Sequence, residues 1–157
     1  MTEAGSLQIH EDDLAGAEIA ALLRAHLDNM YEITPPESVH ALDLDALRAP
    51  EVTFWSAWED DCLVGCGALK ELDGRAAEIK SMRTADTHRG RGIGSAILEH
   101  LLRVARDRNY DTLYLETGSM QEFAAARSLY QRYGFEDCGA FGHYKDDPNS
   151  VFMTLQL

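Results

Sequence analysis

The sequence predicts an α/β domain in which helices flank a mixed sheet that is antiparallel except for one local parallel pair. Three observations lead there. From Val52 the apolar period becomes that of strands, and three short runs follow one another through tight turn signals. A strongly amphipathic stretch, Gly92–Arg108, then separates the third strand from a fourth. At 157 residues, 45% hydrophobic and 26% charged, the chain has the length and composition of one folded domain, read here as residues 1–157.

In chain order, Leu7–His10 reads as a short first strand. Leu14–Met30 carries Ile19, Leu22, Leu23, Leu27 and Met30 on one helical stripe. Thr34-Pro35-Pro36-Glu37 has the form of a helix start: a capping hydroxyl, proline at the first position and a carboxylate at the capping-box place. Pro50 closes that region. Val52–Glu59, Cys62–Lys70 and Ala76–Thr84 form a meander, joined at Asp60-Asp61 and Leu72-Asp73-Gly74. Asp111–Thr117 is a strand, Glu122–Tyr133 a helix ended by Gly134, and Val151–Leu157 a last strand. A strand, a helix and a strand in succession imply a crossover and a parallel pair.

The net charge of −13 is uneven: residues 1–80 hold 17 acidic and 5 basic residues, residues 81–157 hold 10 and 9. Nucleic acid is excluded as a partner, because phosphate binding needs a basic footprint. The acidity has two open readings, a solvated surface or a field that draws cationic acceptors. No run approaches the ~18 apolar residues of a membrane span, and the acidic N-terminus lacks a signal pattern, so a cytoplasmic protein with no membrane partner is expected. Cys62 and Cys66, four apart in one strand, are expected to share a face as small apolar residues. With Cys138 they make three thiols with no CxxC pair, and no metal site is expected.

Glu78 to Ser95, EIKSMRTADTHRGRGIGS, is the informative stretch. A strand feeds Gly90, Gly92 and Gly94 into the start of a long helix, where bare N–H groups and the helix dipole make an anion site. Arg89 and Arg91 add charge there, and Arg83 lies just upstream. A dinucleotide loop fails at its last position, since both glycine registers end on a residue other than glycine or alanine. A triphosphate loop would need Gly-Lys-Ser/Thr, which is absent.

The run Arg89-Gly90-Arg91-Gly92-Ile93-Gly94 resembles the Q/R-x-x-G-x-G/A signature of the GNAT acetyltransferase superfamily at every position. Ala126-Arg127-Ser128-Leu129-Tyr130-Gln131-Arg132-Tyr133-Gly134-Phe135 is similar to the family's A-x-x-L-Y-x-x-x-G-F segment, and with the hairpin through Val64–Leu69 the likeness covers roughly residues 52–157. The resemblance implies an acyl-CoA N-acyltransferase fold: a mostly antiparallel sheet whose parallel pair splays, with acetyl-CoA (coenzyme A) as cofactor. The loop Arg89, Gly90, Arg91, Gly92, Ile93, Gly94, Ser95 would wrap the pyrophosphate. Backbone groups of Met82, Arg83 and Thr84 would bond the pantetheine, helped by a β-bulge near Met82–Thr84. Phe123 stands where many relatives carry an asparagine that contacts pantetheine.

Acetyl transfer to an amine needs a base, because an alkylamine titrates near pH 10, and it needs a proton for the leaving thiolate. Tyr130, at the family's tyrosine position, is the candidate acid; a core tyrosine on the stripe of Phe123, Ala126 and Tyr133 is the other reading. Glu78, eleven residues before Arg89, is the candidate base, against a surface pair with Lys80. Glu116, His40 and His143 are further candidates. The resemblance places the acceptor pocket over roughly Leu27–Leu47 and Phe141–Asn149, with Met30, Tyr31, Pro35, His40, His143 and Tyr144 as substrate-binding residues. Their mixture of apolar and titratable groups suits a small-molecule amine acceptor. A protein lysine or N-terminal acetyltransferase and a non-catalytic acyl-CoA sensor are the alternatives. Relatives are often dimers, which leaves a homodimer open.

Overall fold

Seven strands form one sheet in the order β1-β2-β3-β4-β5-β7-β6 in the computed structural model, which describes residues 7–40 and 44–157. The strands are β1 Leu7–Glu11, β2 Val52–Glu59, β3 Cys62–Asp73, β4 Ala76–Thr84, β5 Thr112–Gly118, β6 Glu136–Cys138 and β7 Ser150–Gln156. The helices are α1 Ala17–Ile33, α2 Leu44–Leu47, α3 Ile93–Asp107 and α4 Ala124–Arg132. Every strand pairing is antiparallel except β4 with β5.

Each face of the sheet buries its own apolar cluster. Ile93, Ile97, Leu98, Leu101 and Leu102 of α3 pack with Trp55, Leu69, Ile79, Leu113, Leu115 and Met153, and Tyr130 of α4 joins them. On the opposite face Ile19 and Leu23 of α1 and Leu47 of α2 pack on Phe54, Cys66 and Ala68. Pleat alternation thus sends Ala77 and Ile79 of β4 toward α3, and Glu78 and Lys80 toward the side of α1.

The meander and the parallel crossover β4–α3–β5 follow the sequence reading, with β3 running on to Asp73 through pairs such as Glu71 with Ala77. Two expectations near the N-terminus are corrected. Helix α1 begins at Ala17 rather than Leu14, because Leu14 is left-handed (φ 66°) and its N–H binds Asp12 Oδ1. It also runs on to Ile33, so the Thr34 N–H caps its end on the Met30 carbonyl; Thr34 is then no N-cap, and Pro36–Ser38 makes a single 3₁₀ turn. The predicted helix Glu122–Tyr133 divides into a 3₁₀ turn at Gln121–Phe123 and α4.

The two cysteines do not share a face: Cys66 is buried and Cys62 exposed. Ala57 pairs with Gly65 but Trp58 with Leu63, so β3 carries one extra residue at Val64 and its alternation reverses there. A second extra residue lies in β4, where Cys66 pairs with Arg83 but Ala68 with Lys80. This is the bulge expected near Met82–Thr84; it falls at Ser81–Met82, and Ser81 takes φ 53°.

Close approach of α3 to the sheet requires glycine in β3. A Cβ on Gly65 would lie 2.7 Å from Ile97 Cδ1 and 2.8 Å from the Arg83 carbonyl oxygen. Ile97 can yield but the backbone cannot, so Gly65→Ala is expected to cost about 1–3 kcal/mol. Urea unfolding would show it as a lowered midpoint; an unchanged midpoint would mean that β3 and β4 separate freely.

Candidate functional site

β4 and β5 keep register only through Ala76–Thr112, Ala77–Leu113 and Glu78–Tyr114. Beyond that the strands diverge, leaving the β5-facing backbone of Ile79–Thr84 and the β4-facing backbone of Leu115–Gly118 without each other as ladder partners. The bulge at Ser81–Met82 turns β4 away from its neighbour. Into this opening runs a cleft of about 700 Å³, lined by β4, β5, the glycine loop, α1 and α4.

At one end of the cleft lies the N-terminus of α3. Gly92 is its N-cap in the left-handed conformation (φ 79°), with no side-chain cap on the first turn. Gly90 is also left-handed (φ 78°). The first-turn N–H groups of a 15-residue helix are therefore offered to an anion. Gly90, Gly92, Gly94, Ser95 and Arg89 line the cleft, whereas Ile93 is buried in the core and contributes its backbone alone. Arg89 pairs with Asp86 at 2.8 Å; Arg91 turns away from the cleft to pair with Glu59 at 3.0 Å. Met82 and Thr84 line the cleft beside the loop, and Thr84 Oγ1 would stand 3.6 Å from a Cβ on Gly94.

Tyr130 is buried on α4, edge-to-face with Phe135, and it also lines the cleft. Among the described residues its hydroxyl meets Met82 Sδ at 3.9 Å, which places it at the bulge. Burial, together with the charge of Glu116, pushes its pKa up to about 12, so it stays protonated. Tyr130 is thus the core tyrosine that its helical stripe predicts, and one edge of it lines the cleft. Phe123 lies over Gly118, where its ring leaves no room for a Cβ, and so presents an apolar wall to the cleft.

Glu78 is neither at a strand edge nor on the surface. It is 3% exposed, and its Oε2 accepts from Tyr144 Oη at 2.6 Å and Lys80 Nζ at 3.3 Å. Lys80 also donates to Tyr144 Oη at 2.7 Å and to the His40 carbonyl at 3.1 Å. Lys80 lines the cleft and Glu78 stands behind it. Of the other residues singled out for the acceptor side, Met30 and His40 line the cleft, and the His40 ring meets Tyr144 edge-on at 4.9 Å. Tyr31 (54% exposed) and His143 face solvent, and Pro35 lies outside the cleft wall. Positions 41–43 of the expected pocket segment lie outside the described residues.

Glu116, named after Glu78 among the sequence candidates, has a different setting. On β5 it faces the same side as Glu78 and Lys80, lines the cleft, and is half-buried. Burial raises its pKa to about 7. Such a carboxyl exchanges its proton near neutrality, as a base must. The signal was present as an acidic residue in the run DTLYLET, but only the divergence of the strands sets it in a cleft. The cleft also reverses the sign of the chain: among the described residues its walls carry Lys80, Arg83, Arg89 and Arg132 against Glu116 and Glu122. The acidic surface charge therefore does not extend to the walls.

No group of histidine, cysteine and carboxylate side chains suited to a metal occurs among the described residues, and no helix among them is long and apolar enough to cross a membrane. Comparison with known proteins agrees with the geometry. The acetyltransferase (GNAT) family matches residues 19–135. An uncharacterized N-acetyltransferase of Bacillus subtilis, YsnE, is 53% identical over 96% of this chain and 100% of its own length. A Klebsiella pneumoniae protein described as an acyl-CoA N-acyltransferase has a crystal structure that superposes with TM-score 0.78 at 33% identity, covering 96% of this chain and 97% of that one. A GNAT acetyltransferase of Elizabethkingia anophelis, with acetyl-CoA bound, shares the fold at TM-score 0.69 and 19% identity, over 96% and 98% of the two chains.

The raised pKa of Glu116 has a consequence for stability. The unfolded carboxyl titrates at its ordinary 4.5 and the folded one at about 7, so between those values the folded state binds more protons. Stability therefore falls as pH rises from about 4.5 to 7. Urea midpoints measured across that window should fall less steeply for Glu116→Gln than for the parent; parallel slopes would show that Glu116 titrates normally.

Proposed function

Since this chain belongs to the acetyltransferase (GNAT) family and is an N-acetyltransferase, we propose that it acetylates the amine of a small molecule, with acetyl-CoA and acceptor held together in one cleft. The observation that carries this reading is the cleft itself. It runs without interruption from the bare N-terminus of α3, through the splay of β4 and β5, to the side of the sheet covered by α1.

The residues fit an acetyl-CoA molecule. The first-turn amides of α3 and Arg89 would hold its phosphates. The β5-facing backbone of Met82–Thr84 would hold its pantetheine stem, with Phe123 giving an apolar contact in place of an asparagine. The cofactor supplies an acetyl group activated as a thioester. Glu116 would accept the proton that the amine must lose as its nitrogen bonds to the acyl carbon. A backbone N–H at the bulge near Thr84 would donate to the thioester carbonyl oxygen. Tyr130 would give its hydroxyl proton to the departing sulfur. Glu78 has a positioning part: it fixes Lys80 and Tyr144 against the acceptor side. The cleft is bounded by α1, β4, β5, α4 and the glycine loop, which favours a small molecule over a long peptide.

Calorimetric titration with acetyl-CoA, with NAD and ATP as controls, tests the cofactor. Binding of acetyl-CoA alone is expected, weakened by Arg89→Ala and abolished by Gly92→Glu, which sets charge and a side chain at φ 79° against the phosphates. Unaltered affinity in Gly92→Glu would refute the loop assignment. In a thiol-release assay, Tyr130→Phe and Glu116→Gln should each lower kcat by about 10²–10⁴ with acetyl-CoA affinity largely spared. Glu116→Gln should also lose the rise in rate through pH 7. Full activity in either variant would pass that proton to another group.

A further inference from the structure

Buried polar groups in folded proteins nearly always have partners, so those that lack them ask for an explanation. Among the described residues five buried side-chain atoms have none, and three of these belong to residues that line the cleft: His26 Nδ1, Ser81 Oγ and Arg83 Nε. They lie together. His26 and Asn29 are one turn apart on α1, and Arg83 Nη1 donates to Asn29 Oδ1 at 2.9 Å. Ser81 is the bulge residue two positions before Arg83. His26 is 8% exposed and the Arg83 side chain 9%, so little of either is open to water.

The charge here is also incompletely balanced. Arg83 Nη2 reaches Asp86 Oδ1 at 3.3 Å, but the same oxygen is held more closely by Arg89, at 2.8 Å. One exposed carboxylate thus serves two guanidinium groups, in a chain whose formal charge is −13. Lys80, the other cation on this face, is already held by Glu78 and Tyr144. Burial and the Arg83 charge lower the pKa of His26 to about 4, so at neutral pH it is an uncharged ring able to donate from Nδ1.

We infer that the wall made by α1 and the β4 bulge is an anion subsite, in which Arg83 with His26, Asn29 and Ser81 takes the carboxylate of an amino-acid-like acceptor. A carboxylate supplies several lone pairs in a plane and so suits the unpartnered donors of a guanidinium, a hydroxyl and a ring N–H. The acceptor's amine then lies toward the splay, where β5 presents Glu116. The carboxylate takes no part in bond making; it sets the position of the nitrogen. This inference rests on the acetyl-transfer reading above and narrows its acceptor from amines in general to amines that carry a carboxylate.

The test uses the full chain in a thiol-release assay with acetyl-CoA, over the common L-amino acids, their carboxamides, and alkyl di- and polyamines. The expected result is that at least one free amino acid is turned over with kcat/KM about tenfold or more above its own carboxamide. In Arg83→Gln that preference should disappear through a raised KM for the acid relative to its carboxamide. Equal turnover of acids and amides by the wild-type protein would overturn the inference without need of any variant. So would turnover of polyamines alone, which leaves the acetyl-transfer reading standing. If Arg83→Gln instead weakens acetyl-CoA binding, the anion is the cofactor's phosphate and the subsite is wrongly assigned. Absence of transfer to any amine, with acetyl-CoA not bound, would remove the acetyl-transfer reading and this inference with it.

Discussion

A parallel pair of strands that stops pairing after three rungs is the constraint on which the rest of this molecule depends. Sheets normally satisfy their backbone through unbroken ladders, and a strand that leaves its neighbour exposes polar groups that something else must meet. Here the departure is built in at Ser81–Met82, where one extra residue and a left-handed φ of 53° bend β4 outward. The bend is stabilised from behind: β3 stays paired to both sides of the bulge, and Gly65 and Gly67 let α3 lie close against it. The opening is therefore a property of the packed fold rather than of a mobile loop.

Two carboxylates on the same face of this opening show how environment divides labour. Glu78 sits where β4 and β5 are still paired, fully buried and bound to Lys80 and Tyr144. Glu116, two residues beyond Glu78's partner Tyr114, sits past the point of divergence and lines the cleft. One is held in a closed polar cluster; the other is partly desolvated and open to a ligand. On adjacent strands, two residues of register separate a carboxylate locked in a hydrogen-bonded cluster from one whose pKa burial raises to about 7.

Much of this was legible in the chain. The strands β2 and β4 match their sequence limits, because alternating apolar residues between tight turns admit little else. The glycine loop was readable because left-handed Gly90 and Gly92 and a helix start have few other uses in that order. What escaped reading were events in which a local signal lost to a distant partner. Thr34-Pro35-Pro36-Glu37 carries the marks of a helix start, yet α1 ran on far enough to use the Thr34 amide as its own cap. Cys62 and Cys66 were expected on one face, and a bulge at Val64, invisible in the period, put them on two. The strand β6, Glu136-Asp137-Cys138, has no apolar alternation and exists through its pairing with β7. Glu116 could be seen as an acid on a strand, but its burial follows from the splay, a relation between segments far apart in sequence.

The bonds around Tyr144 carry a further meaning. Lys80 joins the sheet to the His40 carbonyl and to Tyr144, Ser38 donates to Asp147, and Asn149 donates to Ser38 at 3.4 Å. Two loops separated by about a hundred residues, which border the acceptor side, are thereby fastened to each other and to the strand beneath. Ordering such loops around a substrate is usually a cost levied at the moment of binding. In this protein that loss of freedom is incurred during folding, so a ligand entering beside these loops would meet a mould already set. Fit to a rigid shape, rather than closure around whatever arrives, would then decide what is held.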